Sequence, residues 1–304
     1  MPELPDIEAY IGALRPRVIG RELSRITIKG PFLLRTFEPP IEEAEGKEVV
    51  SVERLGKRIV LGLADELFLV LHLMIAGRLL WKAPGARPSG RIDLASFDFG
   101  DSGVLLLTEA SPKKRASLHL LQGRAALRAE DRGGIDVLKC TPAEFASVLL
   151  LENRTLKRRL TDPRAFSGIG NAYSDEILHA ARLSPVKLTR ALGAEEIERL
   201  CASAKRVLSE WSDRLRSQFK DRFPGVGDIT AFRPEFAVHG KYGKPCPVCG
   251  SPVQRIVHAE NETNYCATCQ TGGKVLADRS LSRLLKDDWP RTIEEWESDV
   301  GGAE

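Results

Sequence analysis

Four cysteines constrain this chain more than any other feature. Cys246 and Cys249 are separated by two residues, sixteen residues follow, and Cys266 and Cys269 repeat the two-residue spacing. Each pair suits a tight knuckle, with Gly250 directly after the first. Tetrahedral zinc needs four thiolates converging at about 2.3 Å, and two knuckles at the base of a hairpin supply them. The spacing predicts hairpin strands over Pro252–Val257 and Thr263–Tyr265 and one zinc (Zn) ion. That ion is structural, because four thiolates leave no open position for water. Ribbons of this kind serve nucleic-acid and scaffold proteins alike, so the module alone assigns no function. Cys140 and Cys201 stand apart, in apolar helical surroundings.

A chain of 304 residues with 42% hydrophobic residues predicts a globular protein of two domains with a small third module. It lacks the long apolar run of a membrane span, so no membrane partner is expected. MPELPDIEAY has neither the basic start nor the apolar stretch of a secretion signal. These features predict a cytoplasmic protein, nucleoid-associated if bacterial, in which cysteines bind metal rather than pair. Charge is distributed unevenly. Residues 286–304 carry seven acids against Lys286 and Arg291, and this net of −5 leaves +8 for the rest of a +3 chain. A basic body favours a polyanionic partner, although a solvated surface rich in lysine reads the same way.

The texture changes along the chain. Asp6 is placed to cap a helix whose apolar positions Ile7, Tyr10, Ile11 and Leu14 share one face. Leu23–Lys29, Glu48–Leu55, Arg58–Leu63, Leu67–Leu73, Arg78–Lys82, Arg91–Phe99 and Gly103–Thr108 read as short strands between Gly, Pro and Asp turns. So many strands in one stretch predict a sandwich or barrel. Beyond Thr141, which with Glu144 forms a helix-start signature, the pattern is helical to about residue 220. Residues 221–236 read as a loop, and Ala277–Leu285 as one short helix before the acidic tail. The expected organisation is an N-terminal β domain over 1–135, a helical domain over 142–236, the cysteine module over 237–272 and an acidic extension over 273–304.

Pro2 is a candidate nucleophile. A small residue at position 2 permits removal of Met1, which would expose a secondary amine with a pKa of about 7.7–8.0. Such an amine is partly unprotonated at neutral pH and attacks without a long side chain to order. Attack on a sugar C1′ expels the base and leaves an iminium that acidifies the C2′ proton. Glu3 stands beside it as a general acid/base. Read alone, the same residues also describe an ordinary terminus with a helix-starting proline.

Five elements occur in order: Met-Pro-Glu-Leu-Pro followed by an acid, Gly56-Lys57-Arg58, His72-Leu-Met-Ile-Ala-Gly-Arg78, Gly168-Ile-Gly-Asn171-Ala-Tyr173, and the four cysteines. Together they resemble the formamidopyrimidine-DNA glycosylase and endonuclease VIII family, over about residues 1–270, and the opening resembles the formamidopyrimidine branch more. The resemblance implies an α+β fold. An N-terminal β-sandwich domain with an N-terminal helix is followed by a helix–two-turn–helix domain and a zinc-finger hairpin, with a DNA groove between the two main domains. It implies that Pro2 is the Schiff-base nucleophile, that Glu3 is its acid/base partner, and that Lys57 holds the phosphate beside the lesion. Gly170 and Asn171, the latter also the expected helix cap, would contact phosphate at a helix start. Met74 matches the apolar wedge that fills the gap left by a flipped base.

Two places depart from the family pattern in the segments that would meet DNA. The loop that usually carries an Arg and a Phe reads Ser111-Pro-Lys-Lys-Arg-Ala116, which keeps the basic Lys113, Lys114 and Arg115 but no aromatic. The hairpin position that usually carries an Arg reads Asn261, flanked by Glu260 and Glu262. Asp6 also replaces the usual Glu near the N-terminus. The expected function is a bifunctional DNA glycosylase/AP lyase, monomeric, acting on damaged double-stranded DNA with no diffusible cofactor. A non-catalytic damage-binding homologue and a zinc-ribbon interaction protein are the rival readings.

Overall fold

The computed structural model describes residues 1–258, 261–276 and 290–295. The chain divides into two compact units. The first is Met1–Gly134 with Ser209–Ala231, and the second is Ile135–Leu208 with Phe232–Glu304.

In the first unit, helix α1 (Leu4–Val18) opens with Glu3 at the cap. Asp6 is not the cap. It sits three positions into the helix, where its carboxylate accepts the Glu3 backbone N–H at 2.9 Å. The chain enters the helix earlier than the polar pattern implies, because Pro5 fixes its own φ at a helical value and lacks the N–H that a first turn leaves unpaired. One stripe of α1, with Leu4, Ile7, Tyr10, Ile11, Leu14 and Val18, is fully buried.

Nine strands follow: β1 (Glu22–Leu23), β2 (Arg25–Ile28), β3 (Lys47–Leu55), β4 (Arg58–Leu63), β5 (Leu67–His72), β6 (Gly77–Lys82), β7 (Asp93–Asp98), β8 (Val104–Glu109) and β9 (Ser117–Gln122). They form an antiparallel five-stranded sheet, in the order β1-β3-β4-β5-β9, and an antiparallel four-stranded sheet, β2-β7-β8-β6. Ile59, Leu61, Leu69, Leu71 and Leu118 from one sheet share a core with Leu79, Phe97, Leu105 and Leu107 from the other and with the α1 stripe. This is the sandwich the sequence predicts. Strand β9 and the short helix α2 (Gly123–Ala129) after it are additions. Polar Ser117 and His119 alternate there with leucines, and the basic loop before them masks the strand.

The second unit is helical: α3 (Pro142–Leu150), α4 (Leu156–Thr161), α5 (Asn171–Ala180) and α6 (Ala194–Gln218), whose last ten residues belong to the first unit. The capping box that starts α3 is present, with Glu144 N–H to Thr141 Oγ1 at 3.2 Å and Thr141 N–H to Glu144 Oε2 at 2.7 Å. Residues 221–236 contain no helix or strand. Strands β10 (Val253–His258) and β11 (Asn261–Cys266) pair antiparallel and lead into α7 (Ala267–Thr271). The described end of the chain returns to this hairpin. Ile293 N–H bonds to Gly273 O at 3.0 Å, and the Ile293 side chain packs on Tyr265 and Ala267. The helix expected over Ala277–Leu285 lies outside the described residues. Among those described, no helix is long and apolar enough to cross a membrane.

One turn is sterically exacting. Gly77 N–H closes onto Leu73 O at 2.8 Å, and a Cβ at Gly77 would lie 2.2 Å from that oxygen. Replacement Gly77→Ala should therefore cost about 1–3 kcal/mol, typical of overpacking. Urea denaturation measures it, and an unchanged midpoint would show that the turn yields freely.

Candidate nucleic-acid active site

The N-terminus is the candidate chemical centre of the first unit. Pro2 and Glu3 are buried, and Met1 is exposed at its side chain. The terminal amine is pushed below its ordinary value. Burial is the main cause; the positive charges of Arg78 and Lys57 act in the same direction, while Glu3 and Asp6 oppose them. Low dielectric and cationic neighbours both disfavour an ammonium. Lys57 belongs to the two-residue turn joining β3 to β4, where Leu55 pairs with Arg58 and Gly56 takes φ 63°, the left-handed conformation such hairpins favour. The fold thus sets Pro2, Glu3 and Lys57 around one amine.

The turn between β5 and β6 presents an apolar tip. Met74 has φ 52° and is half-buried, whereas Ile75 is 49% exposed. The protruding apolar side chain is therefore Ile75, one residue beyond the position the motif singled out. The guanidinium of Arg78 secures this turn. Its Nη1 donates to Ile75 O at 3.2 Å and Gly77 O at 2.7 Å, and its Nε donates to Ile229 O at 2.7 Å.

The basic loop is held from beneath. Glu109, 1% exposed, accepts the backbone N–H groups of Arg115 and Ala116 at 2.9–3.0 Å, and Lys114 Nζ donates to Glu109 O. Lys113 and Arg115 are exposed on this fixed loop.

In the second unit, Gly170 caps α5 and Asn171 is the first helical residue. Asn171 is not the cap: the extended backbone of Gly170 (φ −129°, ψ −157°) marks the boundary, and the Asn171 side-chain amide donates to Glu262 O of β11 at 2.8 Å. Gly170 and Asn171 thus lie against the hairpin. Asn261 begins β11, paired with His258. Glu260 lies outside the described residues.

The four Sγ atoms of Cys246, Cys249, Cys266 and Cys269 lie within 4.8 Å of one another. Two separations, 3.3 Å for Cys249–Cys266 and 4.0 Å for Cys246–Cys269, bracket the roughly 3.8 Å edge of a tetrahedron with 2.3 Å metal–sulfur bonds. His179 Nε2 of α5 lies 3.3 Å from Cys246 Sγ, and the Cys269 N–H points at Cys266 Sγ at 3.4 Å. Such donors around sulfur suit thiolates. The residues present therefore fit a tetrahedral metal.

Comparison with known proteins agrees with this geometry. The family model for the formamidopyrimidine-DNA glycosylase N-terminal domain matches residues 1–169. The H2TH domain of the same enzymes matches 137–216, and the zinc finger found in FPG and IleRS matches 243–272. The chain belongs to the formamidopyrimidine-DNA glycosylase family. The formamidopyrimidine-DNA glycosylase of Thermus thermophilus is 33% identical over 284 residues, covering 90% of this chain and all of the relative. That of Symbiobacterium thermophilum is 32% identical over 280 residues, 89% of each chain. The crystal structure of the Thermus thermophilus protein superposes with a TM-score of 0.73 at 31% identity, covering 88% of this chain and 98% of that one. A Lactococcus lactis family member bound to Fapy-dG-containing DNA superposes at 0.78 and 26% identity, covering 89% and 100%.

Within this family fold, sequence reasoning gave no role to His72. The imidazole of His72 is pushed down to about 4 by burial, then by the charges of Arg58, Lys57, Arg132 and His119. His72 and His119 stand on neighbouring strands, where His72 pairs with Ser117 and Val70 with His119. Register alone shows this, and register is invisible before β9 is known. The sign of the pH effect follows. The unfolded imidazole takes a proton near pH 6.5 and the native one resists until about 4, so folding stability falls as pH drops through that window. Urea midpoints measured from pH 4 to 8 should fall less steeply below 6.5 in His72→Gln than in the parent, and equal slopes would refute the burial assignment.

Proposed function

We propose that this chain is a bifunctional DNA glycosylase and AP lyase of base excision repair, acting on damaged double-stranded DNA through its N-terminal proline. The observation that carries the reading is a buried Pro2–Glu3 pair at the N-terminus, with the charges of Lys57 and Arg78 close enough to act on the terminal amine. Family membership supports it, since the curated relatives are formamidopyrimidine-DNA glycosylases and several solved ones hold DNA.

Removal of Met1 turns the Pro2 nitrogen into a secondary amine. Its lone pair attacks C1′ of the damaged nucleotide, and the base leaves with the electrons of the glycosidic bond and takes up a proton. Glu3 exchanges protons with the opening sugar. The resulting iminium acidifies C2′. Loss of that proton expels the 3′-phosphate with its bonding electrons and cleaves the strand. Lys57 neutralises the phosphate beside the lesion. Arg115 and Lys113, with Gly170 and Asn171, hold the backbone, and Asn171 must exchange its bond to Glu262 O for one to phosphate. Ile75 fills the space left by the flipped base, in place of Met74. One zinc ion held by Cys246, Cys249, Cys266 and Cys269 has a structural role. The protein acts as a monomer, in the cytoplasm, and at the nucleoid if the cell is bacterial.

Borohydride reduction of the Met1-processed protein on a duplex with one abasic site tests the chemistry. A covalent adduct should map to Pro2, and Glu3→Gln should slow its formation about 100-fold, the low end of general acid–base effects. An adduct on a lysine would refute the assignment, and tight binding without any adduct would favour a non-catalytic damage binder. Ile75→Ala should slow release of an oxidised base about tenfold, a loss of roughly 1.4 kcal/mol, with Met74→Ala closer to the parent. The reverse order would return the wedge to Met74.

A further inference from the structure

We propose that Arg78 is a positioning residue of the nucleophile: its guanidinium, gripped by the carbonyls of Ile75, Gly77 and Ile229, fixes a positive charge beside the N-terminal amine and braces the apolar turn against the loop that follows α6. This deepens the function proposed above and rests on Pro2 being the nucleophile.

The geometry has three parts. First, the three carbonyl contacts engage both Nε and Nη1, so the charge cannot swing away as a solvated arginine does. A planar fork meets three backbone oxygens in a way an ammonium cannot reproduce. Second, the far partner, Ile229, is itself immobile. It is 1% exposed in the core shared with α1. Its loop is pinned by Phe223, whose ring lies 5.8 Å from Tyr10 and 6.0 Å from Trp81, and by the Arg222–Asp228 ion pair. Third, none of the three grips is a carboxylate, so nearby acids do not consume the Arg78 charge through these bonds. The residue after Arg78 seats this strand on the N-terminal helix, Leu79 N–H donating to Tyr10 Oη at 3.3 Å, and the Arg78 charge acts on the terminal amine along with Lys57 from the β3–β4 turn and Glu3 and Asp6 near the start of α1. It also faces Tyr10, near which Asp228 lies.

Removal of Met1 moves the amine inward by one residue, about 3.8 Å, toward the buried Pro2 position. A cation fixed beside it keeps part of the amine unprotonated at neutral pH, as nucleophilic attack requires. The same three bonds hold the Ile75 tip in place. Arg78 thus links two operations that must coincide, filling the base stack and presenting the nucleophile.

Two variants separate charge from bracing. Arg78→Lys keeps the charge and loses the fork, whereas Arg78→Gln loses the charge. Competitive acetylation of the processed protein across pH 5–10, read by mass of the N-terminal peptide, titrates the Pro2 amine without any DNA. The midpoint should rise by about half a unit or more in Arg78→Gln and stay near the parent in Arg78→Lys. Borohydride trapping on abasic duplex should follow. For Arg78→Gln it should be about threefold slower below the midpoint and equal to the parent at pH 9, since half a unit is a threefold change in free amine. An unmoved acetylation midpoint in Arg78→Gln, or equal shifts in both variants, would overturn the proposal. A shifted midpoint in a protein that forms no adduct would instead support the charge placement and refute the lyase reading.

Discussion

Two adjacent carboxylates on α5 organise the second unit. Asp175, fully buried, accepts from Lys157 Nζ at 2.5 Å, from His239 Nδ1 at 2.7 Å and from the Asn264 N–H at 3.2 Å. Glu176 accepts the backbone N–H groups of Ala237, Val238 and His239 at 2.8–2.9 Å. Burial and the Asp175 charge push the Glu176 carboxyl up, and the three N–H donors pull it back. One helical turn thereby gathers α4, the 237–239 connection and β11. Buried charge is costly unless every lone pair is met, and here the donors come from three separate segments. The hairpin cannot leave α5 without stripping buried Asp175 of the Asn264 N–H. Cys246 and His179 add a second attachment on the same helix. The zinc finger is thus an extension of the helical unit, and its orientation on α5 is set by these side-chain and backbone contacts.

Much of this was legible in the sequence, for identifiable reasons. The cysteine spacing gave the hairpin, because metal geometry leaves few alternatives. The turn residues between strands β3 to β8 gave the sandwich, because many short strands in close succession must stack into layers. The Thr141–Glu144 box gave the start of α3, because both partners lie within three residues. What stayed hidden depends on non-local pairing. Strand β9 reads as a polar segment until β5 is beside it. The cap of α1 moved from Asp6 to Glu3 because Pro5 had already committed the turn. Asn171 reads as a cap by residue type, but its amide is claimed by Glu262, far away in the chain. His72 and Arg78 lay inside a quoted motif, yet nothing local says which charges face them.

Met74 and Ile75 share the tip of the β5–β6 turn, the first half-buried and the second exposed. Left-handed φ at a residue with a Cβ is uncommon, and Met74 accepts it so that Gly77 can close onto Leu73. That geometry turns Met74 partly inward and Ile75 outward. A β-branched side chain is stiffer than methionine, so a tip of this kind is shaped before it meets DNA. On the function proposed above, a Ser111–Arg115 loop without an aromatic would place more of the gap-filling on this tip.

The altered loop and the altered hairpin both lie away from the amine in sequence, and each keeps its frame. The loop without its aromatic is fixed by Glu109, and the hairpin strand that begins at Asn261 is fixed by Asp175. Scaffold order is therefore kept where side-chain identity has changed. Chemistry at Pro2 needs only an unprotonated amine, a proton acceptor and a sugar within reach. Recognition of a particular base needs side chains that match its edge and its partner. On the function proposed above, substitution at the loop and the hairpin would alter recognition and leave the conditions for amine chemistry intact. Divergence of this chain should therefore lie in which lesions it admits, more than in how it cleaves them.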